Sequence, residues 1–131
     1  MALRETTAPQ PHPVWSALVG VASLGVLLQG LWAGLFLRRG ATDRDTWVSI
    51  HQHAGEAIAV LALLATVAAV IWMRRHTAVL VGTVVFLVLI VVEVMLGYTI
   101  EDSTNAVAVH IPLAMALMGL AVWLPLTARR R

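Results

Sequence analysis

Hydrophobic residues form four long runs along the chain, and short polar stretches separate these runs. The runs cover residues 14–37, 47–73, 77–100 and 106–128, and each holds 23 to 27 residues. A helix needs about 20 predominantly apolar residues to cross the hydrocarbon core of a bilayer. The pattern therefore predicts four transmembrane helices.

The links between the runs predict how the helices pack. Residues 74–76 join the second run to the third, and residues 101–105 join the third to the fourth. Links this short place successive helices side by side and antiparallel. We therefore predict an all-α integral membrane protein, an up-down four-helix bundle. Residues 1–13 are predicted to form a flexible tail, and residues 129–131 a basic C-terminus.

Composition agrees with lipid as the solvent of this chain. Of its 131 residues, 60% are hydrophobic and 12% are charged, whereas soluble domains have about 25% charged residues. The absence of cysteine excludes disulfides, thiolate metal sites and thiol catalysis. The basic residues are scattered and do not alternate with aromatic ones, so we expect a lipid bilayer and no nucleic acid as partner.

The arginines predict the orientation of the bundle. Three of them, Arg38, Arg39 and Arg44, lie on the side of the first link. Six lie on the opposite side, namely Arg4, Arg74, Arg75, Arg129, Arg130 and Arg131. Because cytoplasmic loops carry the excess of basic residues, both termini are predicted to be cytoplasmic.

An internal two-helix repeat places polar residues at matching points in the two halves. The first half carries Gln29 and Gly34 before its link and His51 after it. The second half carries Glu93 and Gly97 before its link and His110 after it. Each histidine comes four residues after the start of its run, about 6 Å into a helix. Since the second and fourth helices run in the same direction, the two histidines are expected to face each other across the bundle.

Two histidines at equal depth predict a haem site. Intramembrane ionisable residues are costly and are therefore functional candidates, and haem iron accepts two axial imidazoles from facing helices. Gly55 and Ala114 each follow a histidine by four residues, so they lie one turn away on the same face and leave room for a macrocycle. We predict b-type haem, with His51 and His110 as iron ligands and with Gln29 and Glu93 as polar neighbours.

His53 is a rival ligand, although it points about 200° around the helix from His51. It can pair with Glu56 three residues later, as a second site, a partner contact or a proton path. Zinc is less favoured, because it needs three or four protein ligands.

Two alternatives to haem binding remain open. In one, the polar residues only join helices, in a structural or accessory subunit of a membrane complex. In the other, they line the path of a transporter of small molecules or tetrapyrroles.

Pro112 leaves the start of the fourth helix open. If this helix begins at Ala106, the proline interrupts its hydrogen bonding close to His110 and is expected to kink the helix there. A later start would place Pro112 in the first turn, where proline is tolerated.

The two histidine segments resemble a known family. Residues 50–57 (IHQHAGEA) resemble the second-helix motif of haem A synthases, and residues 110–117 (HIPLAMAL), preceded by Leu96-Gly97 and a loop, resemble the fourth-helix motif. Haem A synthases have two four-helix halves, each with a histidine on its second and fourth helices. The chain is similar to one such half, and also to small bacterial four-helix membrane proteins with the same paired histidines.

The chain lacks two features of this family, and these differences limit which activities the resemblance implies. Haem A synthases carry a catalytic glutamate three residues before the second-helix histidine, where this chain has Val48, and many have a cysteine pair that is absent here. The resemblance thus implies haem holding or electron transfer rather than catalysis. It also implies the inner membrane of a bacterium and a homodimer or a larger membrane complex. The predicted placement of the histidines in the outer half of the membrane suggests a quinol or other redox partner.

Overall fold

The computed structural model describes residues 11–100 and 104–129, and these residues form four α-helices. In chain order they are α1 (Pro13–Leu37), α2 (Arg44–Trp72), α3 (Thr77–Thr99) and α4 (Thr104–Arg129). All four are long and apolar enough to cross a membrane. Apolar segments in lipid become helical because every backbone N–H and C=O must find a partner within the segment. The all-α prediction is confirmed.

Polar residues extend two of the helices beyond the predicted spans. α2 begins at Arg44, three residues before the apolar run, and α4 begins at Thr104. Pro112 therefore lies inside α4 rather than in its first turn, which settles the question left open by the sequence. An interior proline cannot donate to the carbonyl four residues earlier, here that of Ala108.

The predicted tail ends before Pro13, which is the first residue of α1. This position suits proline, because its missing N–H would have no partner there. His12 is half-buried and stacks on Trp72 at the end of α2, with ring centroids 4.2 Å apart. Residues 1–10 and the last two arginines lie outside the part that the structure describes.

The helices form a ring in which each one contacts two neighbours. α1 packs on α2, α2 on α3, α3 on α4, and α4 on α1. Within the described ranges, no pair of Cα atoms within 8 Å joins α1 to α3 or α2 to α4. α2 and α4 therefore lie diagonally opposite. We call the end with the α1–α2 and α3–α4 links the histidine end.

The tightly packed core fills the rest of the bundle. Trp15, Phe86 and Leu124 are its largest fully buried side chains, and alanines at positions 62, 65 and 69 of α2 are fully buried with them. Small residues allow membrane helices to approach closely. The Trp15 indole donates a hydrogen bond to Thr83 Oγ1 at 3.1 Å. Large apolar side chains cover the outward faces, as expected for surfaces that meet lipid.

A polar turn closes the α1–α2 link. Gly40 has a φ of +70°, which glycine adopts at no steric cost. Asp43 then accepts hydrogen bonds from the Trp47 indole and from Arg38, both at 2.7 Å. The hydrogen bond from Trp47, and next that from Arg38, lower the pKa of Asp43. This carboxylate therefore holds the first turn of α2 against the end of α1.

α1 and α2 approach so closely at Gly25 that a larger side chain there should disturb their packing. A Cβ atom at this position would lie 2.7 Å from Ile58 Cγ1, and Ile58 is itself buried. We expect Gly25→Val to lower the free energy of unfolding by about 1–3 kcal/mol, because the stiff isoleucine cannot move aside. Thermal unfolding in detergent measures this loss.

Gly20→Val is the matched control, because a Cβ at Gly20 meets nothing within 4 Å. Both variants make the same change in α1, so their difference isolates the contact with Ile58. Equal stability of the two variants would contradict the close approach.

Candidate functional site

The structure brings the side chains of His51 and His110 together across the diagonal of the bundle. Their ring centroids are 6.4 Å apart, and the ring planes are inclined by 68°. His51 belongs to α2 and His110 to α4, and both are half-buried. No backbone contact joins these helices, so the two rings meet in the space between them.

Glu93 of α3 lies directly against His110. Its Oε2 atom is 2.6 Å from His110 Nδ1, and the residue is only 7% exposed. The contact has the distance of an ion pair, but it is not aligned as a hydrogen bond, since His110 Nδ1 and Glu93 Oε1 both lack a hydrogen-bond partner in the described structure. The sequence predicted Glu93 as a neighbour of the site but not this contact.

Gln29 supports the other histidine from α1. Its Nε2 atom donates a hydrogen bond to the backbone carbonyl of His51 at 3.1 Å. The missing side chain of Gly55 lets Gln29 lie close to α2, and a Cβ there would be 3.5 Å from Gln29 Nε2. That is an ordinary van der Waals distance, so Gly55 favours this packing without being essential to it.

Phe36 also contacts His51, which the sequence did not indicate. Its ring meets the imidazole edge-to-face, with centroids 5.4 Å apart. This arrangement is favourable between aromatic rings. Phe36 comes from the last turn of α1 and covers His51 on the side of the α1–α2 link.

Small residues surround the pair on the remaining helices. Ala114 is half-buried on α4, one turn from His110. A Cβ added at Gly34 of α1 or at Gly97 of α3 would meet nothing within 4 Å. Gly97 is four residues after Glu93, on the face that carries Glu93 to His110. Both glycines are exposed, so the open space at these positions lies on the outside of the bundle.

His53 lies on a different surface from His51. Its side chain is 71% exposed, and its Nδ1 atom is 3.3 Å from Glu56 Oε2. The Tyr98 hydroxyl of α3 donates to the other carboxylate oxygen of Glu56. Of the two candidate ligands on α2, His51 is the one that the structure places opposite His110.

Unpartnered polar atoms are concentrated at the histidine pair. Three buried side-chain atoms there have no hydrogen-bond or ion-pair partner in the part of the chain that is described: Gln29 Oε1, His51 Nδ1 and Glu93 Oε1. Leaving such an atom buried and unsatisfied costs about 1–3 kcal/mol. Several of them in one place indicate a site that has a use beyond packing.

Two other features of the described residues bear on the site. No group of three or more His, Cys, Asp or Glu side chains is placed to hold a metal ion in residues 11–100 and 104–129. Two grooves lie along the α1–α4 contact, beside Gly20 and Pro125. Both grooves are mainly apolar, and neither includes the histidines.

Comparisons of the chain with protein-family models, with curated proteins and with solved structures found no match. The function is therefore inferred from the chain's own residues.

Proposed function

We propose that this membrane protein binds b-type haem, with His51 and His110 as the two axial ligands, and serves in electron transfer or in holding haem. The observation that carries the proposal is the facing pair of imidazoles on two diagonal helices. Each half of the chain supplies one imidazole from an equivalent position.

The separation of the two rings fits a single iron between them. With metal–nitrogen bonds of about 2.0–2.1 Å and ring centres about 1.2 Å behind the bonding nitrogens, two imidazoles on opposite sides of one metal have centroids about 6.5 Å apart. The observed centroid separation is 6.4 Å. Rings that only pack edge to face also reach such separations, so the distance permits a shared iron, and the placement of the pair on diagonal helices carries the proposal.

The donor set favours haem over a bare metal ion. Zinc sites use three or four protein ligands, and the described residues offer no such group. A porphyrin supplies four nitrogens of its own and needs only two axial ligands, which matches the pair. When bound, haem provides one-electron redox chemistry, and two imidazoles leave its iron without an open position for oxygen.

Glu93 and Gln29 would help to position the two histidine ligands. A histidine that binds a metal through one ring nitrogen commonly offers the other to a carboxylate, which fixes the ring and raises its basicity. Glu93 Oε2 is 2.6 Å from Nδ1 of His110, so a rotation of the imidazole would align this bond and leave Nε2 for iron. Gln29 fixes the backbone of α2 at His51.

Small residues lie beside the two proposed ligands, where a flat group would need room. Gly55 and Ala114 add no bulk beside the ligands. The haem A synthase resemblance implies the same two histidines, and we propose that the chain is related to one half of that family.

We further propose that the protein lies in a bacterial inner membrane with both termini in the cytoplasm. The six-to-three distribution of arginines supports this orientation, which puts the histidine end at the outer face. A homodimer would restore the eight helices of a haem A synthase. Val48 stands where that family has its catalytic glutamate, which supports a non-catalytic role.

An absorption spectrum of the purified protein tests the haem proposal. In mild detergent, we expect a Soret band and, after reduction with dithionite, sharp α and β bands of a low-spin haem. Protein that stays colourless after haem is supplied during expression, and again after purification, would refute haem binding. The polar contacts of Gln29 and Glu56 would then be read as links between helices in an accessory subunit.

A further inference from the structure

A second polar cluster lies on the outer surface between α2 and α3, away from the histidine pair. Glu56 is at its centre, with Tyr98 Oη 2.5 Å from one carboxylate oxygen and His53 Nδ1 3.3 Å from the other. The side chains of His53 and Glu56 are 71% and 41% exposed, and Tyr98 is 49% exposed. The cluster therefore faces the surroundings of the bundle.

This surface lies within the apolar spans and is costly to keep. Both α2 and α3 are candidate membrane spans that include these residues, and ionisable groups in such spans are expensive and generally functional. The link between Tyr98 and Glu56 can join α2 to α3, but His53 adds nothing to that link. Its only described side-chain partner is Glu56 of the same helix, and its Nε2 atom remains available for a ligand.

Apolar side chains continue the cluster toward the middle of the bundle. Val60 lies one turn beyond Glu56 on α2, and Met95 lies one turn before Tyr98 on α3. Both are more than half exposed, as 57% and 60%. The surface therefore has a polar tip near the histidine end and an apolar strip that leads away from it.

We propose that this cluster binds the headgroup of an isoprenoid quinol or quinone. The ring hydroxyls of a quinol can donate to the Glu56 carboxylate, and the ring carbonyls of a quinone can accept from His53 Nε2, while Tyr98 holds the carboxylate in place. The isoprenoid tail matches the apolar strip of Val60 and Met95. A ligand of this class reaches the outer surface of a membrane-spanning bundle through the bilayer.

Charge separates this ligand from the phospholipids of a membrane. Phospholipids also combine a polar head with apolar tails, but their phosphate would lie against the Glu56 carboxylate. A quinol headgroup is neutral and carries donors for the same oxygens. If the protein binds haem, this site identifies the class of redox partner that exchanges electrons with it. That role rests on the proposed haem binding, whereas binding of a quinol at the cluster does not depend on haem.

Photolabelling in lipid nanodiscs tests the site. The full chain, in nanodiscs of phosphatidylcholine, is labelled with an azido-benzoquinone that carries a ten-carbon tail, and unlabelled decyl-benzoquinone competes. We expect the label on residues 52–60 or 91–98. We also expect Glu56→Gln and His53→Ala to weaken competition at least about tenfold, the effect of losing one hydrogen bond to a charged group.

Asp45→Asn is the matched control, because it removes an exposed carboxylate from the first turn of the same helix. It should label like the unchanged chain. If the Glu56 variant does not fold, Tyr98→Phe replaces it in the test. This variant removes one hydroxyl from the cluster and should also weaken competition. Labelling that is the same in all variants, that falls elsewhere on the chain, or that phosphatidylglycerol suppresses more strongly than decyl-benzoquinone would overturn the proposal.

The haem spectrum of the same samples separates this proposal from the previous one. A colourless chain that still labels at the cluster supports the quinol site and refutes haem binding. A coloured chain whose labelling ignores Glu56 and His53 refutes the quinol site alone.

Discussion

Replacing either His51 or His110 by alanine should abolish the low-spin haem spectrum. Each substitution removes one axial ligand, and the imidazoles approach from opposite helices, so neither can replace the other. We expect no α and β bands in either variant after reduction, and less than about a tenth of the haem per protein, since a lost metal ligand costs more than the 10–100-fold typical of a supporting residue. Pyridine haemochrome assays measure the haem content.

His53→Ala is the control for this experiment. His53 is two residues from His51 but lies on the exposed surface beside Glu56, so its loss should leave the spectrum unchanged. If His53→Ala lost the spectrum and His51→Ala kept it, His53 would be the ligand on α2, and the assignment of His51 would be wrong.

Stability measurements distinguish a haem site from simple links between helices. A ligand that binds only the folded state stabilises it in proportion to its concentration and affinity. We therefore expect His51→Ala to differ from the unchanged chain in thermal unfolding mainly when haem is present. A deficit of equal size in haem-free protein would support helix linking instead.

Glu93→Gln should weaken haem binding and raise the reduction potential of the bound haem. The carboxylate at His110 Nδ1 makes the imidazole a stronger donor, which favours the ferric state. Losing a supporting residue of this kind typically costs 10–100-fold in metal affinity. If the ferric state loses ten times more affinity than the ferrous state, the potential rises by about 59 mV.

Redox titration and haem-transfer assays measure both effects of Glu93→Gln. The control is Asp45→Asn, whose carboxylate is exposed at the start of α2 and should change neither quantity. An unchanged potential together with lower stability of the haem-free protein would show that Glu93 only joins α3 to α4.

The four helices could be predicted because, in the hydrocarbon core of a membrane, a long apolar segment can satisfy its backbone hydrogen bonds only by forming a helix. Their ends were less predictable, since the hydrophobic run stops before the hydrogen bonding does. Arg44, Asp45 and Thr46 are polar, yet they continue α2 down to the turn at Asp43, where the Trp47 amide donates to the Asp43 carbonyl. Thr104 and Asn105 extend α4 in the same way.

The histidine pair could be predicted because the repeat and the short links determine both depth and diagonal placement. The contact of Glu93 with His110 could not, because it depends on how α3 is rotated about its axis. α3 is apolar on almost every side, so no polar face in its sequence indicates which side turns inward. The same holds for Phe36, one of several large apolar residues near the end of α1.

The diagonal placement of the ligands has a consequence for biogenesis. The hairpin of α1 and α2 carries only His51, and the partner ring follows later in synthesis with α4. A nascent chain therefore cannot hold a group between the two imidazoles until α4 has inserted and packed on α1. Cofactor capture would be the closing event of assembly, and chains truncated before α4 would remain without it.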